Sequence, residues 1–322
     1  RFVFRYVIGR KFILMKRLKQ IFIALGVFLL AFGVGFSVSV FRQPALLTVD
    51  KNAPPPIIKS ELPYDTGEKH TFDLYLPNTK KPAYGLVVYL HAGGFTAGDK
   101  TDDAEILNFF ASKGYVSAGV NYSLRNENNN ASVLQMSNEI KSAIPKVVEH
   151  AKQLGYPIDR MAIAGGSAGH SLAMIYAYRD HKTAPVPVKM VYGAVGGGDF
   201  DLTKWYKPDA TRDERAVWVE VMTGVKMTPE QIKNDEFRAI LKPINAVDWI
   251  DQDSPPSLLA HGKLDKIVPF TAVTPIHQAL EKYNVPHTAL VFEHSGHGLH
   301  RDREMQKRFA QEIEQYLAKY MQ

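Results

Sequence analysis

The sequence predicts an α/β fold with a mainly parallel central sheet, helices on both faces and a small, cap-like helical insertion after a central strand. Short apolar segments alternate with longer amphipathic segments from residue 72 to the C-terminus. Several apolar segments, such as residues 84–90, are continuous, as in strands that are covered on both faces. A chain of 322 residues is also long enough to build one large domain with a substantial core.

The alternation defines successive elements. Residues 72–76 alternate polar and apolar side chains like an edge strand, and the pattern ends at Pro77. Further strands are predicted at residues 84–90, 115–121, 186–195, 256–260 and 288–292. Helices are predicted at residues 103–113, 132–154, 171–178, 271–283 and 301–321.

Residues 196–247 interrupt this alternation. They contain no clear strand pattern, but they include Trp205, Tyr206, Trp218 and short helical patterns, one of which begins with the capping signature Thr228-Pro-Glu-Gln231. Two interpretations remain open: a cap over an active site, or a segment that wraps the edge of the sheet.

The first 42 residues predict a leader. They contain eight Lys or Arg and no Asp or Glu, and residues 21–40 form an uninterrupted uncharged run. Twenty such residues would make about 30 Å of helix, enough to cross a bilayer. The leader is either a cleaved signal peptide, with Ser37 and Ser39 near the cut, or an uncleaved membrane anchor. In both cases the charge asymmetry predicts that the rest of the chain is exported, either secreted or membrane-anchored.

Residues 43–61 predict a proline-rich linker, because Ala53-Pro-Pro-Pro56 favours an extended spacer. The leader has a net charge of +8, and beyond it the chain has 31 basic and 33 acidic residues, so the net charge of +6 of the whole chain comes from the leader. A nearly neutral body offers no basic surface, and we expect no nucleic-acid partner. The chain has no cysteine, which excludes disulfides and thiolate chemistry.

The sequence around Ser167 predicts a nucleophile. Gly165-x-Ser167-x-Gly169 stands directly after a short apolar run and directly before a helical pattern, which is the setting of a nucleophile elbow. Glycines on both sides allow the sharp turn, and the helix that follows directs N–H groups at the serine oxygen. The pattern is weak evidence by itself, because many ordinary turns are rich in small residues.

Three further motifs follow predicted strands. His91-Ala-Gly-Gly-Phe95 has glycines whose backbone N–H groups could face an oxyanion. Asp265 follows the strand at residues 256–260, and His297 follows the strand at residues 288–292. Because the ends of parallel strands meet at one edge of a sheet, Ser167, Asp265 and His297 can converge there. Their order along the chain is the one that accompanies this serine motif.

Together these motifs resemble the α/β-hydrolase superfamily, and within it the carboxylesterases related to hormone-sensitive lipase and acetyl esterases. The resemblance extends over residues 62–322, which it identifies as the catalytic domain. It rests on Asp73-Leu-Tyr-Leu-Pro77, His91-Ala-Gly-Gly-Phe95, Asn121-Tyr-Ser-Leu124, Gly165-Gly-Ser-Ala-Gly169, Pro255-Pro-Ser-Leu-Leu-Ala-His-Gly262 with Asp265, and Gly296-His-Gly298. The chain departs from the family pattern at Ala92, Gly166 and His170, which affects the choice of subfamily and leaves the three candidate residues in place.

The resemblance implies a role for each of these residues. Ser167 is the expected nucleophile, His297 the general base and Asp265 the acid that orients it. The N–H groups of Gly93, Gly94 and Ala168 are the expected oxyanion hole. The resemblance implies no metal and no organic cofactor.

Histidines 294, 297 and 300 are spaced by three, which could also indicate metal ligands. Without cysteine or paired carboxylates nearby, we favour a single functional histidine, His297, because it alone has glycine on both sides. His91 is expected to brace the oxyanion loop. Asp251 and Asp253 are rivals for Asp265, but they precede a strand instead of following it.

The expected function is a serine carboxylesterase that hydrolyses short-acyl esters of small molecules or carbohydrates through an acyl-enzyme. The alternatives are a deacetylase or feruloyl-type esterase that acts on plant polysaccharide, and an acyltransferase. A prolyl-type peptidase is disfavoured because we find no additional β-domain. A non-catalytic binding protein is disfavoured because all three triad residues are present.

Overall fold

One mixed β-sheet carries the fold. The computed structural model describes residues 47–67, 69–205 and 209–322. Within these ranges the sheet has eight strands: β1 (Ile57–Pro63), β2 (Thr71–Leu76), β3 (Tyr84–Leu90), β4 (Val116–Val120), β5 (Ile158–Gly166), β6 (Val188–Ala194), β7 (Ser257–Gly262) and β8 (His287–Phe292). Their order is β1-β2-β4-β3-β5-β6-β7-β8. Strands β3 to β8 are parallel, whereas β1 pairs antiparallel with β2 and β2 antiparallel with β4.

Helices cover both faces of this sheet. In chain order, the described helices are α1 (Ala104–Ser112), α2 (Val133–Gln153), α3 (Ala168–Ile175), α4 (Leu202–Trp205), α5 (Arg212–Thr223), α6 (Pro229–Lys233), α7 (Phe237–Leu241), α8 (Thr274–Lys282) and α9 (Arg303–Tyr320). Helices α1 and α9 pack on one face, and α2, α3, α8 and the insertion pack on the other. The predicted fold class, with its helical insertion after a central strand, is confirmed.

Strand β3 shows how the sheet divides two cores. All seven of its residues are buried, because layers of helices cover both sides. Its side chains alternate: Leu86, Val88 and Leu90 enter the core under α2 and α3, while Val87 and Tyr89 enter the core under α1 and α9. Each fully buried aliphatic side chain contributes about 1.5–3 kcal/mol to folding, which explains the continuous apolar run in the sequence.

The first strand corrects two expectations. The predicted linker at residues 43–61 contains the start of β1, so β2 is an inner strand and not the edge. The side chains of β1 are almost all exposed, including Ile57 and Ile58, and so they carry no burial pattern. Backbone pairing with β2 holds this strand instead, and the sequence pattern cannot reveal that kind of stabilisation.

A buried lysine secures an irregularity in β1. The register between β1 and β2 shifts after Lys59, and Glu61 has a φ of 55°. The Glu61 N–H donates to Oδ1 of Asp73 at 2.9 Å, and the Glu61 carboxylate accepts a hydrogen bond from Nζ of Lys100. Lys100 is buried and also lies 3.4 Å from Asp73. These polar contacts hold the bulge in a conformation that is strained for a non-glycine residue.

The helical insertion begins directly after β6. Helices α5 and α6 start with capping boxes, formed by Thr211 with Glu214 and by Thr228 with Gln231. The second of these is the capping signature read from the sequence. The buried side chains of the insertion join the core that also contains α2 and α3.

The predicted leader at residues 1–42, with its apolar run at residues 21–40, lies outside the described residues, and so does Tyr206. Among the helices of the described part, none combines the length and the apolar character that a membrane span requires.

Three imidazole rings lie together behind the ends of the central strands, two of them buried and that of His277 half-buried. His170 lies in α3, His261 in β7 and His277 in α8, with ring centroids 5.7 Å apart for the first pair and 5.6 Å for the second. Burial lowers the pKa of His170 to about 3. It also lowers the pKa of His261 and His277, and repulsion between neighbouring imidazoles adds to the effect. The cluster is therefore neutral in the folded protein.

This cluster predicts that the fold loses stability in acid. An unfolded histidine takes up a proton near pH 6.5, whereas the histidines of the folded cluster resist protonation. The free energy of unfolding is therefore highest above pH 6.5 and falls as the pH decreases below that value. His170 alone should cost about 2 kcal/mol of unfolding free energy between pH 7 and pH 5. Urea unfolding at pH 7, 6 and 5 measures this.

His277→Leu should reduce the pH dependence of unfolding, because it removes one of the titrating groups from the cluster. His300→Gln is the matched control, since His300 is exposed and lies outside the cluster, and it should leave the dependence unchanged. A wild-type unfolding free energy that stayed constant from pH 7 to pH 5 would contradict the prediction.

Candidate active site

Ser167 occupies a strained turn between β5 and α3. Its φ of 51° and ψ of −115° are unfavourable for a residue with a side chain. Hydrogen bonds hold the backbone on both sides: the Ser167 N–H donates to the carbonyl of Ala194 at 2.9 Å, and the Ser167 carbonyl accepts from the N–H of Ser171 at 3.0 Å. The turn is therefore fixed by the neighbouring strand and by the first turn of the helix.

The glycines beside Ser167 are required by close packing. A Cβ atom at Gly169 would lie 1.9 Å from the carbonyl oxygen of Leu90, and a Cβ at Gly165 would lie 2.4 Å from the backbone of Gly169. The turn thus presses its backbone against the end of β3, where the loop that begins at His91 starts. This contact explains why the sequence has glycine at both positions.

Ser167, His297 and Asp265 form one hydrogen-bonded chain. Nε2 of His297 lies 2.9 Å from Oγ of Ser167, and Nδ1 of His297 lies 2.7 Å from Oδ2 of Asp265. The other oxygen of Asp265 accepts hydrogen bonds from the N–H groups of Ile267 at 2.8 Å and Val268 at 3.0 Å. A carboxylate at Nδ1 favours a proton on that nitrogen, so the lone pair of Nε2 faces the serine hydroxyl.

The three residues are 7–9% exposed, so the hydrogen-bonded chain lies largely out of contact with solvent. The structure thus brings together the three residues that the sequence proposes as nucleophile, base and acid. They come from three different loops, and each loop follows the carboxyl end of a parallel strand.

The rival residues lie elsewhere. Asp251 and Asp253 form ion pairs with Lys182 at 2.7 and 3.2 Å. His294 is paired with Asp302, and His300 is exposed. In the described part of the chain, no three His, Cys, Asp or Glu side chains are grouped closely enough to hold a metal ion.

The loop after β3 has the conformation expected of a backbone cradle. Gly93, Gly94 and Phe95 have φ values of 127°, 60° and 66°. A Cβ at Gly93 would lie 1.9 Å from the carbonyl oxygen of Ala97, so only glycine fits this position. Gly169 packs on the carbonyl groups of Leu90 and His91, so this loop begins beside the turn at Ser167.

His91 supports the conformation of this loop, as the sequence predicts. Nδ1 of His91 donates to the carbonyl of Ala92 at 2.7 Å, and the imidazole stacks on Tyr122 with centroids 4.2 Å apart. The Tyr122 hydroxyl donates to the carbonyl of His91 at 2.7 Å. Burial lowers the pKa of His91, so the ring stays neutral. Sequence reasoning missed the role of Tyr122, although the residue belongs to the Asn121-Tyr-Ser-Leu124 motif.

Aromatic side chains form a wall from the glycine loop to the Asp265 loop. The ring of Phe95 lies 6.3 Å from Phe200, and Phe200 lies 5.5 Å from Trp205. A Cβ at Gly197 would lie 2.7 Å from the Trp205 ring and 3.4 Å from Val268, so the ring reaches the Asp265 loop. Trp205 is only 7% exposed, and its indole N–H donates to the carbonyl of Asp199. Trp205 is therefore a buried part of this aromatic wall.

Comparisons with known proteins agree with this architecture. The BD-FAE family model matches residues 72–280. Esterase LipI of Mycobacterium tuberculosis is 30% identical over 104 residues, which are 32% of this chain and 32% of that protein. Kynurenine formamidase of Danio rerio is 25% identical over 142 residues, 44% of this chain and 46% of that protein. The chain thus spans less than half the length of these two curated relatives.

Solved structures extend the similarity over most of the chain. A truncated form of a carbohydrate esterase from gut microbiota superposes with a TM-score of 0.66 at 17% sequence identity. The superposition covers 85% of this chain and 99% of that one. At this level of identity the likeness establishes a common fold.

Gly169→Ala should disrupt the turn at Ser167. The added methyl group would overlap the Leu90 carbonyl, and relief of that overlap requires a backbone shift that separates α3 from β3. We expect the free energy of unfolding to fall by about 1–3 kcal/mol and Ser167 to react more slowly with a fluorophosphonate probe. Thermal unfolding and labelling rates measure the two effects. Gly155→Ala is the control for the labelling rate: its φ of 87° predicts a loss of stability, but no atom lies within 4 Å of a Cβ there, so the turn at Ser167 should keep its reactivity. Wild-type labelling by Gly169→Ala would contradict the prediction.

Proposed function

The chain belongs to the BD-FAE family, and from this premise we propose that it is a serine carboxylesterase that hydrolyses short-acyl esters. The observation that carries the proposal is the hydrogen-bonded chain from Ser167 through His297 to Asp265. A serine hydroxyl that is hydrogen-bonded to an imidazole, which a buried carboxylate orients, suits acyl transfer.

The proposed reaction has two stages. Nε2 of His297 takes the hydroxyl proton as Oγ of Ser167 attacks the ester carbonyl, and the protonated imidazole then gives that proton to the departing alkoxide. A water molecule, deprotonated by the same nitrogen, attacks the acyl-enzyme; the imidazole then returns that proton to Oγ of Ser167 as the carboxylic acid leaves. Asp265 keeps the imidazole oriented and stabilises its charged form.

The negative charge of the tetrahedral intermediate requires donors. We assign this role to the backbone N–H groups of Gly93, Gly94 and Ala168. The positive φ values in the glycine loop and the position of Ala168 at the start of α3 support the assignment, because both features turn backbone N–H groups away from the sheet ladder.

Substitutions of the three side chains test the assignment. Ser167→Ala and His297→Ala should each lower kcat by about four orders of magnitude or more, and Asp265→Asn by less. His294→Ala should have a mild effect, because its imidazole is exposed and directed at Asp302. Steady-state hydrolysis of p-nitrophenyl acetate measures each variant. If His294→Ala were as damaging as His297→Ala, the assignment of the base would be wrong.

A burst of alcohol release separates an enzyme from a binding protein on this fold. The burst amplitude should equal the enzyme concentration, and a serine-directed phosphonate should abolish it. If acyl transfer to an added alcohol exceeded hydrolysis in water, the chain would be an acyltransferase.

The aromatic wall supports a preference for short acyl chains. Phe95 and Trp205 border the segment between the glycine loop and the Asp265 loop, and their rings are held by packing and by the Trp205 hydrogen bond. An acyl group seated against rigid rings gains about 0.8 kcal/mol for each methylene that fits and meets a steric limit beyond that.

The prediction is a maximum in kcat/KM between acetyl and butyryl esters, measured with p-nitrophenyl esters from acetate to palmitate. Trp205→Phe should move the maximum to longer chains, while Trp249→Phe, whose indole donates to the carbonyl of Lys242, should leave it in place. A wild-type maximum at eight carbons or more, or activation by emulsified lipid, would reject the short-acyl proposal.

Acetylated xylan, feruloyl esters and N-formylkynurenine belong in the same panel. The names of two similar proteins, a carbohydrate esterase and a kynurenine formamidase, motivate these substrates. If kcat/KM for acetylated xylan or a feruloyl ester exceeded that for the simple esters, the natural substrate would be a polysaccharide ester.

We also propose that the catalytic domain is located outside the cytoplasmic membrane. The basic residues before the uncharged run at residues 21–40 support this orientation. Protease treatment of intact cells should degrade the domain if it is anchored, and a mature N-terminus near Val40 would show a cleaved signal. Recovery of the full-length chain in the cytosol would contradict the proposal.

A further inference from the structure

The loop that carries His297 is closed at its base by one carboxylate. Oδ2 of Asp302 accepts hydrogen bonds from the backbone N–H of His294 at 3.1 Å and from the hydroxyl of Ser295 at 2.6 Å. Oδ1 of Asp302 accepts one from Nδ1 of His294 at 2.7 Å. These contacts join the two ends of residues 294–302, and His297 lies between them.

Ser295 connects this closure to the loop of Asp265. Oγ of the buried Ser295 also accepts a hydrogen bond from the N–H of Arg301 at 3.1 Å. Its carbonyl accepts one from the N–H of Leu264, the residue before Asp265, at 3.0 Å. The distance between the backbones of the two catalytic loops is therefore fixed through the residue that Asp302 binds.

The His297 loop needs such a constraint. Gly296 and Gly298 flank His297, and glycine has the greatest backbone freedom to lose on folding. Leu299 adds a positive φ of 53°, which is strained for a leucine. The bond between His297 and Ser167 is useful only when the imidazole is held within about 0.5 Å of the productive position.

We propose that Asp302 is a positioning residue that acts through Ser295 and the backbone N–H of His294 to hold His297 between Ser167 and Asp265. The inference rests on the proposed function, because it concerns the efficiency of the same reaction. Asp302 lies at the N-terminus of α9, so the last helix of the chain serves as the fixed support of the loop.

Asp302→Ala and Asp302→Asn in the full-length chain test the proposal. Asp302→Ala should lower kcat for p-nitrophenyl acetate by about 10²-fold with little change in KM, because a displacement of about 1 Å at a catalytic group has an effect of this size. Asp302→Asn should lose less, since its amide oxygen can still accept from the N–H of His294. Glu304→Gln is the matched control: Glu304 lies in the same helical turn, is 82% exposed and pairs with Lys307.

A second readout does not depend on turnover. The proton on Nδ1 of His297, bound to Asp265, should give a downfield proton NMR resonance that is absent in His297→Ala. In Asp302→Ala this resonance should shift or broaden, and Glu304→Gln should leave it unchanged. Urea unfolding shows whether each variant is folded. If Asp302→Ala does not fold, the same measurements on Asp302→Asn test the proposal.

The outcomes separate this inference from the proposed function. Wild-type kcat in a folded Asp302→Ala would overturn the inference, and so would a lower kcat with an unchanged His297 resonance. If the wild-type chain hydrolysed no ester, the proposed function would fail, while the resonance would still report whether Asp302 positions His297.

Discussion

The site depends on hydrogen bonds that extend the sheet ladder beyond the ends of its strands. The N–H of Ser167 donates to Ala194, the N–H of Val195 donates to Ala260, and the N–H of Lys263 donates to Phe292. Each bond joins the first residues after one strand to the last residues of the next. The loops that carry Ser167, Asp265 and His297 therefore leave the sheet in fixed register, and their side chains can meet.

This extension carries backbone strain. Ser167 and Val195 both have φ values above 50°, which cost about 1–3 kcal/mol each for residues with side chains. The ladder bonds and the contact between Gly169 and the Leu90 carbonyl maintain these conformations. A serine that projects from a sharp turn is thus a property of the whole strand edge and not of the turn alone.

The electrostatics around the site follow a simple division. The Asp265 carboxylate accepts three hydrogen bonds, one of them from His297, the imidazole that contacts Ser167. Burial keeps His91, His170 and His261 neutral, so their rings add no positive charge that would compete for the carboxylate. The same neutrality makes the region sensitive to acid, because unfolding exposes rings that take up protons.

The sequence by itself determined the fold class and proposed Ser167, Asp265 and His297 as the site, because the signals for strands, turns and loop positions are local. Continuous apolar runs reveal buried strands, and glycines beside a serine reveal a tight turn. Position after a strand distinguished Asp265 from Asp251 without any knowledge of contacts. Residue types also indicated that His91 supports the glycine loop.

Only the tertiary structure decided the features that depend on contacts between distant segments. Strand β1 is held by backbone pairing and has exposed side chains, so it carries no pattern. Trp205 is buried against Phe200 and Trp218, and three histidines meet across α3, β7 and α8. The order of the parallel strands determines which side chains these residues contact. The hydrophobic periodicity of a single strand or helix does not encode that order.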